Sequence, residues 1–244
     1  MSDSWRKPRP DGKLPRMKKT PLTVGLLLCL SLPAWAQPAP LDLSKVPQEG
    51  KAEQDFVPAG WKIDATTKGD LDKNGKEDVV LELVEEDPKK ATGGEFTERS
   101  RALVALLSED GGKLRRAGAS NKVLYCTTCQ GTLGTGLGGV TRIEKGVLIV
   151  DQMSGSREMV HTVLRFRYDP KERKFVFIGE DVEHADRGAG TSTVESTNLL
   201  TGAKVTEQRE YNPKTDKNTV ISSKKSKVAV RKRYLEDADI STYY

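Results

Sequence analysis

The stretch Met159–Ile178, MVHTVLRFRYDPKERKFVFI, contains two runs of alternating apolar and polar residues around the turn-forming segment Asp169–Glu172. Period-two alternation on both sides of such a turn is typical of two paired antiparallel strands. Residues two apart on a strand share a face. One face of the first strand therefore carries Val160, Thr162, Leu164, Phe166 and Tyr168, and we expect this face to point inward.

Similar runs follow one another along most of the chain after residue 56. They are separated by turn residues and occupy residues 78–84, 101–107, 122–126 and 146–152, and a run over 227–235 ends the series. No stretch of three turns shows the 3.6-residue spacing of an amphipathic helix. The sequence predicts an all-β fold, either an antiparallel sandwich or a partial propeller-like assembly of sheets.

The amino terminus has the features of a secretory signal. Two lysines after Met17 precede the apolar run Leu22–Leu32, and Ala34-Trp35-Ala36 supplies small residues at a cleavage site before Gln37. Pro33 ends the apolar run before the ~20 residues that a membrane span needs. We therefore expect a signal peptide over residues 1–36, with an extension or an earlier start codon over 1–16, and a periplasmic or secreted location. A flexible lead-in over 37–55 and one β-rich domain over 56–244 complete the predicted organisation.

The basic excess of the chain lies in the predicted signal. Residues 1–36 hold seven basic and two acidic residues. The rest of the chain therefore has 33 basic residues (40 minus 7) and 33 acidic residues (35 minus 2). Sequence-independent binding of nucleic acid needs a basic surface, so nucleic acid is not a predicted partner. An envelope protein or a polysaccharide is the partner class that fits an exported chain.

The stretch Gly69–Leu83, GDLDKNGKEDVVLEL, contains an acidic loop before a strand. Gly75 allows a sharp turn within it. Hard oxygen ligands at this spacing suit Ca²⁺, and the predicted ligands are Asp70, Asp72, Asn74, the Lys76 carbonyl and Asp78. Leu81 at the twelfth position and the strand-like flanks exclude an EF-hand. The alternative is a solvated turn without an ion, because Asp, Asn and Gly favour turns.

This loop resembles the D-x-[DN]-x-[DN]-G-x-x-D calcium loop of FG-GAP and VCBS repeats, which leads directly into a strand. The resemblance implies a structural Ca²⁺ with a weak Kd of ~10⁻⁴ to 10⁻³ M, typical of extracellular modules. The chain has one such loop, with Lys73 and Lys76 inside it. More widely, the chain resembles a group of exported bacterial proteins of unknown function that share V-P-x-G-W, here Val57–Trp61, a loop of this kind and a C-x-x-C beside glycine-rich sequence.

Cys126 and Cys129 are the cysteines that remain after residue 36, and such a pair in an exported chain predicts a structural disulfide. A thioredoxin-type redox site would need a helix after the first cysteine, which the following glycines disfavour. A zinc site with His161 and His184 is an alternative, although the histidines lack finger-like spacing. Residues 134–139 match G-x-G-x-x-G, but the residues after them predict a strand, so no dinucleotide site is expected.

No combination of residues prescribes a reaction. The first hypothesis is therefore an exported, non-catalytic envelope protein with a structural calcium loop. The second is a hydrolase that uses His161 or His184 near the acidic loop. Ser154, Ser156 and His161 could form a triad with an aspartate, although G-x-S-x-G is missing. The third is an interaction module that presents a basic carboxy-terminal strand over 224–233 to a partner. The alternative for this run is a solvated edge strand whose charge is compensated by acidic residues.

Overall fold

Antiparallel strands form most of the regular structure in the computed structural model, which describes residues 40–86, 98–133 and 139–243. The strands are β1 (Glu49–Gly50), β2 (Trp61–Gly69), β3 (Asp78–Glu85), β4 (Arg101–Ser108), β5 (Leu114–Ser120), β6 (Thr141–Glu144), β7 (Val147–Gly155), β8 (Glu158–Asp169), β9 (Lys174–Asp186), β10 (Thr191–Asn198), β11 (Ala203–Asn212) and β12 (Lys217–Lys227). Short 3₁₀ helices lie at Leu43–Lys45, Glu53–Phe56, Leu235–Asp237 and Ile240–Tyr243. The predicted all-β class is confirmed.

The strands form two sheets. A five-stranded sheet has the order β1-β5-β4-β3-β2, and a seven-stranded sheet has the order β12-β11-β10-β9-β8-β7-β6. Every pair is antiparallel, and nearly all pairs join strands adjacent in sequence. The exception is β1, in which Glu49 pairs with Arg115 of β5.

The hairpin predicted over residues 159–178 is present as β8 and β9. Phe166 is paired with Phe177, and their ring centroids are 4.8 Å apart. Leu164 and Phe166 are fully buried, whereas Arg167 is exposed. The inward face of β8 is therefore the predicted one, because burial follows the period-two alternation.

One hydrophobic core lies between the two sheets. Leu103 of the five-stranded sheet and Phe166 and Phe177 of the seven-stranded sheet belong to the same buried cluster. Leu235, in the carboxy-terminal 3₁₀ helix, completes it and is fully buried. Two antiparallel sheets that share one core form the predicted sandwich.

A second core covers the opposite face of the five-stranded sheet. Leu41, Val46 and Phe56 pack there against residues of β3 and β4, and each is at most 2% exposed. The predicted flexible lead-in is therefore wrong for residues 40–55, which belong to the fold. The apolar residues of this segment are too widely spaced to produce a periodic pattern, so their burial left no local signal.

The run over 122–126 was expected to be a strand, and this is wrong. The segment is buried but irregular, and a side chain takes the place of a strand partner. The Gln152 amide accepts a hydrogen bond from Tyr125 N at 3.0 Å and donates one to Val123 O at 2.9 Å. These bonds satisfy buried backbone groups without a ladder.

The strand predicted over 227–235 is also wrong in its extent. β12 ends at Lys227, and beyond it Tyr234 makes an isolated bridge with Val176 before the chain turns into a 3₁₀ helix at Leu235. The predicted signal peptide and residues 37–39 lie outside the described residues. Within the described ranges, no helix is both long enough and apolar enough to cross a membrane.

Candidate functional site

The predicted calcium loop connects β2 to β3, and its backbone wraps around the Asp70 carboxylate. Lys73 and Gly75 have left-handed backbones, with φ of 65° and 85°. This curvature turns amide groups inward, so that Asp70 Oδ1 accepts a hydrogen bond from Asn74 N at 3.1 Å and Oδ2 accepts one from Gly75 N at 2.9 Å. Gly75 is suited to this position because it adopts positive φ without strain.

Three of the predicted ligands converge. Asp70, Asp72 and Asp78 each offer one carboxylate oxygen, and these oxygens lie within 4.8 Å of one another. Because Ca–O distances are about 2.4 Å, ligands on opposite sides of one ion are about 4.8 Å apart. The carboxylate spacing and chemistry therefore fit a single Ca²⁺. Each oxygen that already accepts an N–H bond has a further lone pair for an ion.

The side chains of Asn74 and Lys76 take part in polar contacts within and beside the loop. The Asn74 side chain accepts from Lys76 N at 2.7 Å and donates to Asp72 Oδ2 at 3.1 Å. The Lys76 ammonium reaches out of the loop to Asp110, 2.5 Å away. The positive charge of Lys76 is thus neutralised by a neighbouring loop, which reduces its effect on the carboxylates.

Asp78 has a second role that the sequence did not reveal. It is fully buried, and its two oxygens accept hydrogen bonds from Leu71 N at 2.7 Å and Ser108 N at 2.8 Å. Burial raises the pKa of Asp78 and the Asp72 charge raises it further, although the backbone hydrogen bonds act in the opposite direction. The carboxylate thus ties the start of the loop to the end of β4. An acidic residue at the first position of an apolar strand was the available signal.

A buried ion pair between β3 and β4 was also missed. Arg101 Nη2 lies 2.6 Å from Glu82 Oε2, and both side chains are fully buried between the sheets. Glu82 also accepts hydrogen bonds from Thr141 N at 2.9 Å, from the Thr141 hydroxyl at 2.8 Å and from Gly139 N at 2.9 Å. Because Thr141 belongs to β6, Glu82 connects the two sheets. Asp64 lies 3.4 Å from the same guanidinium.

The glycine-rich motif is described only at its last residue. Residues 134–138 of G-x-G-x-x-G lie outside the described residues, and Gly139 has a φ of 87°. The residues that follow form β6, as predicted, rather than the helix that a dinucleotide fingerprint requires.

His161 lies beside a carboxylate on the face of the seven-stranded sheet turned away from the core. Its Nε2 is 2.7 Å from Asp151 Oδ1, and Arg142 Nη1 donates to Asp151 Oδ2 at 2.6 Å. Burial acts to raise the pKa of Asp151, but the hydrogen bonds from His161 and Arg142 outweigh it and hold that pKa below its usual value. A hydrolase that uses a histidine needs a carboxylate within hydrogen-bond distance of it, and Asp151 meets this need for His161.

The serines considered for that hypothesis do not join His161. Ser154 is paired with Val160, the residue before His161, so it faces the opposite side of the sheet. Its hydroxyl is buried and donates to the Tyr125 hydroxyl at 3.3 Å. Ser156 lies in the turn between β7 and β8. The serine triad considered from the sequence is therefore not assembled.

The cysteines and histidines do not come together as a zinc site. The Cys126 and Cys129 sulfurs are at bonding distance, as the disulfide prediction requires, with Cα atoms 5.1 Å apart. His184 is paired with Val160, and His161 with Glu183, so the two imidazoles point to opposite faces. Four ligands around one ion are therefore not available from these residues.

The basic run near the carboxy terminus is partly neutralised. Lys232 pairs with Glu172 and, at 3.8 Å, with Asp169, and the Arg233 guanidinium lies 4.9 Å from the centre of the Phe177 ring. The lysines of β12 are exposed along the edge of the seven-stranded sheet. Lysines on an edge strand discourage pairing with another sheet.

Comparison with models of protein families, with curated proteins and with solved structures finds no match to this chain.

Proposed function

We propose that this chain is an exported, non-catalytic β-rich protein of the envelope whose loop of residues 70–78 binds a structural Ca²⁺. The observation that carries the proposal is the convergence of the Asp70, Asp72 and Asp78 carboxylates within 4.8 Å. The resemblance of the loop to FG-GAP and VCBS calcium loops supports the same ion.

Electrostatic repulsion explains why an ion would stabilise this loop. Three carboxylates at this separation repel one another when all are ionised, and Asp78 has no access to solvent that could screen its charge. A divalent cation replaces the repulsion with attraction. Since Asp78 also holds Leu71 and Ser108, an ion at the cluster would fix the loop to both β3 and β4.

The expected size of the effect follows from mass action. A ligand that binds the folded state alone stabilises it by about 2.7 kcal/mol when its concentration is 100 times its Kd. With a Kd of ~10⁻⁴ M, typical of extracellular calcium modules, about 10 mM Ca²⁺ reaches this ratio. For a domain of this size, that corresponds to a rise in Tm of roughly 5 to 10 °C.

The experiment compares thermal unfolding in calcium and in a chelator. We expect Ca²⁺ to raise the Tm of the wild-type protein and Mg²⁺ to raise it less, because Mg²⁺ requires stricter octahedral geometry. Asp70→Asn should remove most of the calcium response. Glu77→Gln is the matched control, since it removes an exposed acidic group of the loop that is outside the cluster, and it should keep the response. A wild-type Tm that does not change with Ca²⁺ would overturn the calcium proposal.

Export is tested separately. The full chain, produced with its own amino terminus in a bacterium with two membranes, should be recovered from the periplasm or the medium with Gln37 as its first residue. Amino-terminal sequencing of the recovered protein gives this result directly. Recovery of the uncleaved chain from the cytoplasm would contradict export while leaving the calcium measurement valid.

A further inference from the structure

Both methionines that follow the predicted signal peptide line one cavity. The sequence contains four methionines, of which Met1 and Met17 precede residue 36. The remaining two, Met153 and Met159, line a cavity of 530 Å³ on the open face of the seven-stranded sheet, together with His161 and Glu183. Met153 is 43% exposed, so burial does not account for a large apolar side chain at this position.

The register of the sheet brings the two thioethers to the imidazole. Met153 of β7 is the direct cross-strand partner of His161 of β8, and opposed residues of an antiparallel pair have Cβ atoms about 4.5 to 5.5 Å apart. Met159 lies two residues before His161 on the same strand and the same face, about 7 Å along the strand. The methionine side chain has three rotatable bonds, so both sulfurs can approach one point beside the ring.

A carboxylate orients the imidazole through one of its ring nitrogens. Asp151 Oδ1 lies 2.7 Å from His161 Nε2. A neutral imidazole that donates from Nε2 keeps its lone pair on Nδ1, and within the described part of the chain no hydrogen bond engages Nδ1. Histidines that bind metals almost always donate their other N–H to a carboxylate or carbonyl in this way. Arg142 fixes the same carboxylate from its other oxygen, at 2.6 Å.

We propose that Met153, Met159 and His161 form a binding site for a soft monovalent metal ion, Cu(I), with Ag(I) as its redox-inert counterpart. Thioethers select Cu(I) over the hard ions Ca²⁺ and Mg²⁺, and imidazole suits copper. Glu183, opposite His161 on β9, places a negative charge beside the imidazole, and the other two charged residues of the lining, Asp186 and Arg187, have opposite charges. Asp151 is a positioning residue, because it acts on the ion through His161.

This site is independent of the calcium loop. The two sites share no residue. Because their ligands differ in softness, Ca²⁺ should not bind at the methionines and Cu(I) should not bind at the acidic loop. A failure of the calcium proposal would not affect the copper measurement, and the reverse also holds.

The test is a competition titration of the purified, disulfide-bonded protein with Cu(I), kept reduced by ascorbate without oxygen, against a chromophoric Cu(I) chelator. We expect one equivalent of Cu(I) per chain and sulfur neighbours in the X-ray absorption spectrum of the complex. The double variant Met153→Leu/Met159→Leu conserves side-chain volume. Loss of a supporting residue typically weakens metal binding by roughly 10- to 100-fold, and this loss of two ligands should weaken Cu(I) binding by more. Asp151→Asn should weaken it by about 10- to 100-fold.

Matched variants separate this site from other copper-binding groups. His184→Asn removes the histidine on the opposite face, and Cys126→Ser/Cys129→Ser removes both sulfurs of the disulfide, so both variants should bind Cu(I) as the wild type does. Circular dichroism confirms that each variant is folded. Equal affinity of the wild type and the folded double leucine variant would overturn the proposal, as would a wild type that takes no Cu(I) from the chelator.

Discussion

The Arg101 guanidinium lies 2.6 Å from the Glu82 carboxylate, and neither side chain has any exposed surface. Breaking a buried ion pair by removing one partner typically costs about 3 to 5 kcal/mol, because the remaining charge is left uncompensated. Glu82 has further importance here, since its oxygens also accept the hydrogen bonds from Thr141 and Gly139.

Glu82→Gln should therefore lower the free energy of unfolding by about 3 to 5 kcal/mol. The double variant Glu82→Gln/Arg101→Met should be more stable than Glu82→Gln alone, because methionine removes the unpaired charge while glutamine keeps an acceptor for Thr141. Urea unfolding of the three proteins measures both differences. If the double variant is the least stable, Asp64, 3.4 Å from the guanidinium, compensates the charge of Arg101 in Glu82→Gln.

Asp78→Asn should change the pH dependence of stability. Burial raises the pKa of Asp78, so the folded state binds this proton more tightly than the unfolded state, in which the ordinary value is 3.8. The resulting stabilisation is complete below the unfolded pKa and is lost as the pH rises through the folded pKa. In chelator, the wild type should therefore exceed Asp78→Asn in stability by more at pH about 4 than at pH about 7.

Calcium should increase the stability difference between the wild type and Asp78→Asn at neutral pH. At neutral pH the difference between the two proteins should increase when Ca²⁺ is added, because asparagine lacks the charge that the ion binds. Urea unfolding at the two pH values, with and without Ca²⁺, gives all four differences. A constant difference across pH in chelator would show that the folded state does not raise the pKa of Asp78.

Phe56→Ala should show that the segment over residues 40–56 stabilises the fold by packing on the five-stranded sheet. Phe56 is fully buried on the outer face of the five-stranded sheet, and removal of a buried phenylalanine side chain costs about 3 to 5 kcal/mol. Lys45→Ala, an exposed position in the same segment, should change stability by about 0.5 kcal/mol or less. Chemical unfolding compares the two variants, and equal effects would mean that this segment does not contribute to the core.

Cys126→Ser/Cys129→Ser should have a small effect on stability. The cysteines are three residues apart, so their disulfide closes a short loop and restricts the unfolded chain little. We expect a loss of roughly 2 kcal/mol or less, and reduction of the wild type by dithiothreitol should lower its Tm by the same amount as the double substitution. A variant that fails to fold would give the disulfide a larger role than loop closure explains.

The parts of the fold that could be predicted are those specified by residues close in sequence. The β8–β9 hairpin was recognised because alternation and its turn occur within one short stretch, and the acidic loop before β3 because its predicted ligands are two residues apart. The packing of Leu41 and Val46 depends on strands far along the chain, and their own spacing has no period. The pairing of Glu82 with Arg101 likewise depends on how β3 and β4 align.

The site on the open face of the seven-stranded sheet was missed for a related reason. His161 was noticed as a single residue, but its relation to Met153 is a property of the β7–β8 register, which sequence reasoning did not assign. The same register places Asp151 within hydrogen-bond distance of the ring. Cross-strand pairs therefore carry the functional information that neither strand contains alone.

The pairing of β1 with β5 has a consequence for biosynthesis. Glu49 and Gly50 leave the ribosome long before Arg115 and Leu114, their partners in the sheet. Leu41, Val46 and Phe56 likewise have no surface on which to dock until β3 and β4 have been made, whereas each later hairpin can close as soon as its second strand emerges. The residues of the domain that are synthesised first therefore stay exposed until their partners have been made. During this period their apolar side chains are accessible to a chaperone.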